Sequence, residues 1–122
     1  NAVYAMRPGG VAIILAQCPD ICDPPEFFEW FRYPDILSLE TAARGNFLIS
    51  GWLAIRQMEY NDQGTIILLT EKDNMELAYK AHVEPVSTIS AALKLAYQKC
   101  GTPTPQITVM PQGANTFPIV GE

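Results

Sequence analysis

GGVAIILAQCPD, residues 9–20, holds the run whose reading decides the fold. Val11-Ala12-Ile13-Ile14-Leu15-Ala16 is apolar without interruption and rich in β-branched residues. A strand with one wet face alternates polar and apolar residues. An unbroken run of this length marks a strand covered on both faces, as parallel sheets require. It is also far too short to span a bilayer. Thr65-Ile66-Ile67-Leu68-Leu69-Thr70 repeats the pattern.

Helical patterns fill the spaces between these runs. Val3, Met6 and the neighbouring alanines make an apolar helical face that ends at Pro8 and Gly9-Gly10. Asp23-Pro24-Pro25-Glu26 offers an N-cap, a proline at the first helical position and a reciprocal acid. Phe27, Trp30 and Phe31 then share one side, which places Trp30 in the core. Asp35 starts a second helix through Ile36, Leu37, Leu39 and Ala43, closed by Gly45. A third pattern runs through Leu48, Trp52, Ile55 and Met58 to a turn at Asn61–Gly64. Asp73 to Glu76 reads as a capping box for a short helix reaching about Ala81. Val83–Val86 has room for a brief strand. Ser87 or Thr88 caps a helix carrying Ile89, Ala92, Leu93, Ala96 and Tyr97, which stops at Gly101. Gln106–Met110 reads as the last strand, and Pro111–Thr116 as a polar loop after it.

The expected fold is therefore a three-layer α/β sandwich in one domain over residues 1–122. Its small, mostly parallel sheet has about four strands, with helices on both faces. Ligands of such sheets sit beyond the carboxyl ends of the strands. The segments 17–23, 70–74 and 111–116 fall there.

Composition narrows the function. The chain is 48% hydrophobic and 17% charged, with a net charge of −5 and eight scattered basic residues. Nucleic-acid binding needs clustered Lys and Arg, so that partner is not expected, and neither is a membrane. Three widely spaced cysteines make no disulfide framework and suit a reducing cytoplasm. Asn1 begins no charged-then-apolar leader. Because the first residues read as the last turns of a helix, the chain is expected to start inside one.

Few residues offer chemistry. Cys18, Asp20, Cys22 and Asp23 are metal-ligand types. Their spacing is wider than that of zinc pairs, and the sole histidine, His82, is remote in sequence. They read as thiols and loop acids, with no metal site expected. No Gly-x-Ser-x-Gly elbow and no phosphate-cradling glycine loop is present, so no catalytic set is expected within these residues. Trp52 has core spacing, yet Ser50-Gly51 before it lets a backbone approach closely, and an indole edge can line a cleft.

Four stretches, in order, resemble the C-terminal domain of the nickel-dependent lactate racemase family. Asn1-Ala2-Val3 through Arg7-Pro8-Gly9-Gly10 is similar to its leading helix and Pro-Gly-Gly turn. Ala16-Gln17-Cys18-Pro19-Asp20 with Pro25-Glu26-Phe27-Phe28-Glu29-Trp30 is similar to its Ala-Glu-Cys loop and Phe-Glu-x-Trp helix. Phe47 to Ala54 resembles a stretch that carries Gly-Gly-His-Lys-Ala in many members and a tryptophan in others. Met110 to Pro118 resembles the closing Pro-x-Gly-Gly-x-Thr-x-Pro segment. The resemblance implies a lid over an active site whose nickel pincer nucleotide and acid–base histidines belong to a larger N-terminal domain. That domain is then the expected partner, a small 2-hydroxy acid the substrate, and self-association of the piece alone an expected side effect. The resemblance makes Trp52 a wall of the cleft, with Cys18, Asp20 and Asn115 as further cleft residues at strand ends. Asp20-Ile21-Cys22 replaces a common glycine and Trp52-Leu53 a common His-Lys pair, which leaves the choice among 2-hydroxy acids open.

Two other readings compete. Met6 to Ile14 also resembles the late turn and strand of an S-adenosylmethionine-dependent methyltransferase, a fold that ends in an antiparallel hairpin. A free-standing binding or assembly domain would instead close its own apolar surface.

Overall fold

The computed structural model describes residues 2–119; Asn1, the expected cut within the leading helix, lies outside them. In chain order come α1 (Ala2–Ala5), β1 (Gly10–Leu15), a 3₁₀ helix (Pro25–Arg32), α2 (Ile36–Gly45) and α3 (Ile49–Gln63). Then follow β2 (Gly64–Leu69), a 3₁₀ turn (Lys72–Asn74), α4 (Met75–Lys80), β3 (Glu84–Val86) and α5 (Ile89–Cys100).

The strands are all parallel, in the order β1-β2-β3. Gly10 pairs with Gly64 and each following residue keeps step to Leu15 with Leu69. On the other side Ile67, Leu68 and Leu69 face Glu84, Pro85 and Val86. Because strand side chains alternate, the unbroken run of β2 feeds two cores at once. β1 gives Val11 and Ile13 to one of them and, against the expectation of cover on both faces, leaves Ile14 and Leu15 exposed. Ile67 and Val86, with Val11, Ile13 and Leu69, pack against Ala92, Leu95 and Ala96 of α5. Ile66 and Val83, with Leu68, pack on the opposite face against Val3, Ala81, Phe27, Phe28, Phe31 and Tyr60. Behind that face α2 lies on α3, and Trp30, Leu39, Ala43 and Ala54 form a third cluster. This is the three-layer α/β sandwich that the alternation of patterns implies.

Caps explain the firmer boundaries. The Asp35 carboxylate accepts from the Ser38 amide at 2.7 Å, and this bond holds its pKa below the ordinary aspartate value. Thr88 caps α5 through the Ala91 amide at 3.2 Å, and Gly101 ends that helix in the left-handed conformation, φ 65°.

Other boundaries differ from expectation. Asp23 caps nothing; the helix beyond it is 3₁₀, preceded by Pro24 with no side-chain cap. The cap position falls on Pro24, one residue later than expected, which leaves Asp23 outside it. Asp73 belongs to the 3₁₀ turn, so the expected capping box does not form, and α4 starts only at Met75. The expected turn at Asn61–Gly64 is the last turn of α3, which runs straight into β2. Among the described residues the sheet has three strands, not about four, because Gln106–Met110 joins no ladder. Prolines at 103, 105 and 111 bracket that segment, and its Ile107 and Val109 are exposed, so no burial holds it on the sheet.

Three glycines are set by close approach. A Cβ on Gly64 would fall on the Gly10 carbonyl oxygen, and one on Gly10 would strike Met6. A Cβ on Gly51 would lie 2.9 Å from the Trp30 ring, whose Nε1 donates to Ser50 Oγ at 3.1 Å just beside it. Helix propensity alone favours Gly51→Ala by about 1 kcal/mol. Overpacking against a buried indole costs about 1–3 kcal/mol, so the variant is expected to be destabilised in urea melts. A stabilised variant would show that Trp30 can step aside.

Candidate functional site

Parallel pairing delivers the ends of β1, β2 and β3 to one edge of the sheet. A cleft of about 610 Å³ opens there, lined by Leu15, Ala16 and Gln17 from β1, Leu69 to Lys72 from β2, and Ser87 after β3. This is where the crevice of an open parallel sheet belongs. Gln17 and Thr70 lie in segments whose place the sequence foretells. Ser87 is an addition: its signal was the brief strand before it, which needs only parallel pairing to bring Ser87 to the cleft.

The turn leaving β1 is held by an internal polar anchor. Cys18 takes a left-handed backbone, φ 53°, a conformation that costs a residue with a Cβ about 1–2 kcal/mol. Buried Asn74 offsets this by donating from Nδ2 to the carbonyls of Gln17 and Cys18, both at 2.9 Å. The Thr70 hydroxyl donates to the same Gln17 carbonyl at 3.0 Å while accepting from Asn74 at 3.2 Å. Outside, Gln17 Nε2 donates to Glu71 Oε1 at 2.6 Å. Sequence reading gave Asn74 no role; a buried amide shows its value only once the carbonyls it bonds are in place.

A second depression of about 470 Å³ lies beyond this turn, lined by Cys18, Pro19, Asp20, Ile21, Asp23, Pro24, Phe27, Phe28 and Leu53. The structure thus brings Cys18 and Asp20 together. Trp52 adjoins Leu53 on α3 but does not line the depression; it is 50% exposed, so core packing is not its role. It belongs to an exposed apolar strip with Phe47, Leu48, Ile49 and Leu53 at the start of α3. Asn115 lines neither cavity and sits in the turn after Met110, its amide bonded to the Gln112 carbonyl. His82 is exposed, with its ring 5.9 Å from that of Phe31.

Away from both cavities, Arg56 donates to the Tyr4 and Tyr60 hydroxyls at 3.1 and 3.3 Å and pairs with Glu59. Bonding with Tyr4, then with Arg56, lowers the Tyr60 pKa. This cluster joins α1 to α3 and faces no cleft.

Among the described residues, no three His, Cys, Asp or Glu side chains converge as a metal-ligand set, and no helix is long and apolar enough to cross a membrane. The solved lactate racemase apoprotein from Thermoanaerobacterium thermosaccharolyticum is similar in fold, with a TM-score of 0.68 and 24% identity. The match covers 80% of this chain and 25% of that one, so the chain spans about a quarter of that protein's length. No protein-family profile matches the chain, and no curated protein does.

Asn74→Ala is expected to cost about 1–3 kcal/mol in urea melts, because the Cys18 carbonyl loses its donor and the Gln17 carbonyl keeps only the Thr70 hydroxyl. The same change should speed iodoacetamide labelling of half-buried Cys18 relative to exposed Cys22, read by peptide mass mapping. An unchanged labelling ratio would mean that the turn holds itself.

Proposed function

We propose that this chain is the cleft-closing domain of a racemase or epimerase for lactate or a related 2-hydroxy acid. In this reading a larger N-terminal domain of the same polypeptide supplies the reacting groups, and these residues alone catalyse nothing. The observation that carries the reading is the fold shared with a quarter of a lactate racemase. The four sequence stretches in matching order agree with it, and so does the apolar strip beside the depression.

Inverting a 2-hydroxy acid means breaking and remaking a bond at the α-carbon, and the intermediate must be kept from water. A domain that closes an apolar wall over the site does this without contributing a nucleophile. Phe47, Leu48, Ile49, Trp52 and Leu53 form such a wall. Trp52 takes the cleft position, with Cys18 and Asp20 on the turn beside it, while Asn115, the fourth residue of the resemblance, stands apart in this structure. The described residues do not fit a nickel site of their own. The resemblance gives the nickel pincer nucleotide to the larger domain, and no step here runs through it. With the strip uncovered, the isolated domain is expected to self-associate. Its free thiols at Cys18, Cys22 and Cys100 suit the cytoplasm.

An all-parallel sheet gives no support to the methyltransferase alternative, which ends in an antiparallel hairpin. The exposed strip is likewise unlike a free-standing domain that closes its own surface.

The test is racemisation by the cofactor-loaded holoenzyme containing this chain, fed enantiopure L-lactate and other 2-hydroxy acids and read by chiral chromatography. One of these acids should racemise. Trp52→Ala should lower kcat/KM at least ~10-fold, equivalent to about 1.4 kcal/mol, with the melting temperature unchanged since the side chain is half exposed. A loaded enzyme that racemises none of them overturns the reading.

A further inference from the structure

We propose that the outer edge of β1 is a docking edge for this chain's own Gln106–Met110, which this structure holds off the sheet. The inference rests on chain handedness and not on the racemase reading.

Connections between parallel strands of one sheet are almost always right-handed. The chain steps from β1 to β2 to β3 with its connecting helices on the face of Ile66 and Leu68. α5 leaves β3 and lies on the opposite face, against Val11 and Ile13 of β1. A right-handed connection carried on that face steps the other way across the sheet. It passes β2, whose two edges are filled, and arrives at the outer edge of β1.

That edge suits a strand. Among the described residues, no backbone bond joins β1 to anything on its outer side. β1 carries no charge and no proline, the usual devices that keep an open edge from pairing. Its end is left open, with Leu15 64% exposed. Gln106-Ile107-Thr108-Val109-Met110 has the β-branched content of a strand, and Ile107 and Val109 are 62% and 78% exposed. The connection, residues 101–105, has the ordinary length of a helix-to-strand loop.

Docking has a consequence for the site. It places the loop 111–116 beside the Gln17–Asp20 turn, at the point where strand order reverses, which is where open α/β sheets hold their ligands. Asn115 then joins Cys18 and Asp20, which it does not meet in the undocked arrangement.

Backbone amide hydrogen exchange by NMR on the full chain, at low and high protein concentration, tests this. Alternate amides of 107–110 and of β1 are expected to exchange ~100-fold more slowly than those of Thr102 and Thr104, equally at both concentrations. Neighbouring residues of a strand point their amides to opposite sides, so either Ile107→Pro or Thr108→Pro should abolish this protection while β2 and β3 keep theirs. Cross-strand Overhauser contacts between 106–110 and β1 in the unsubstituted chain give the same answer without a substitution. Free exchange of 107–110 overturns the proposal. Protection confined to high concentration also overturns it, by assigning the edge to a second copy.

Discussion

Pairing of β1 with β2 is the constraint on which the rest depends. It requires two neighbouring backbones to meet at Gly10 and Gly64 without side chains between them, with Met6 of the preceding turn closing the gap. Once that contact is made, the one-to-one register carries Leu15 to Leu69, and the turn at Cys18 comes beside Thr70 and Asn74. The cleft is a product of the pairing.

Much of this was legible, and for physical reasons. An apolar run without alternation can be satisfied only by cover on both faces, so β1 and β2 were readable from Val11–Ala16 and Thr65–Thr70. Asp35, Thr88 and Gly101 mark helix ends by local chemistry that needs no tertiary partner. Trp30 was readable as core because Phe27 and Phe31 share its side.

What was not legible depended on partners distant in sequence. Asp23 and Asp73 have the residue types of caps, but the cap position falls on Pro24 in one case and Asp73 lies within a 3₁₀ turn in the other. Trp52 keeps perfect helical spacing and is still half exposed, because α3 buries its Ser50, Gly51 and Ala54 side and leaves Ile49, Trp52 and Leu53 bare. Gln106–Met110 has strand composition yet stands off the sheet in this structure, because whether it pairs is decided by the outer edge of β1, far away in sequence, and not by its own residues. Of the four cleft residues named from the sequence, Cys18 and Asp20 share a depression, Trp52 flanks it through Leu53, and Asn115 stands apart.

The functional account turns on the apolar strip at the start of α3 being a covered wall in the working enzyme. With only two tryptophans in the chain, fluorotryptophan labelling gives two ¹⁹F signals, and their shifts between H₂O and D₂O report contact with solvent. Buried Trp30 should show little solvent shift in any setting, while Trp52 should show a full shift in this chain alone and lose it in the intact enzyme holding a 2-hydroxy acid. A Trp52 signal equally wet in both would contradict the account.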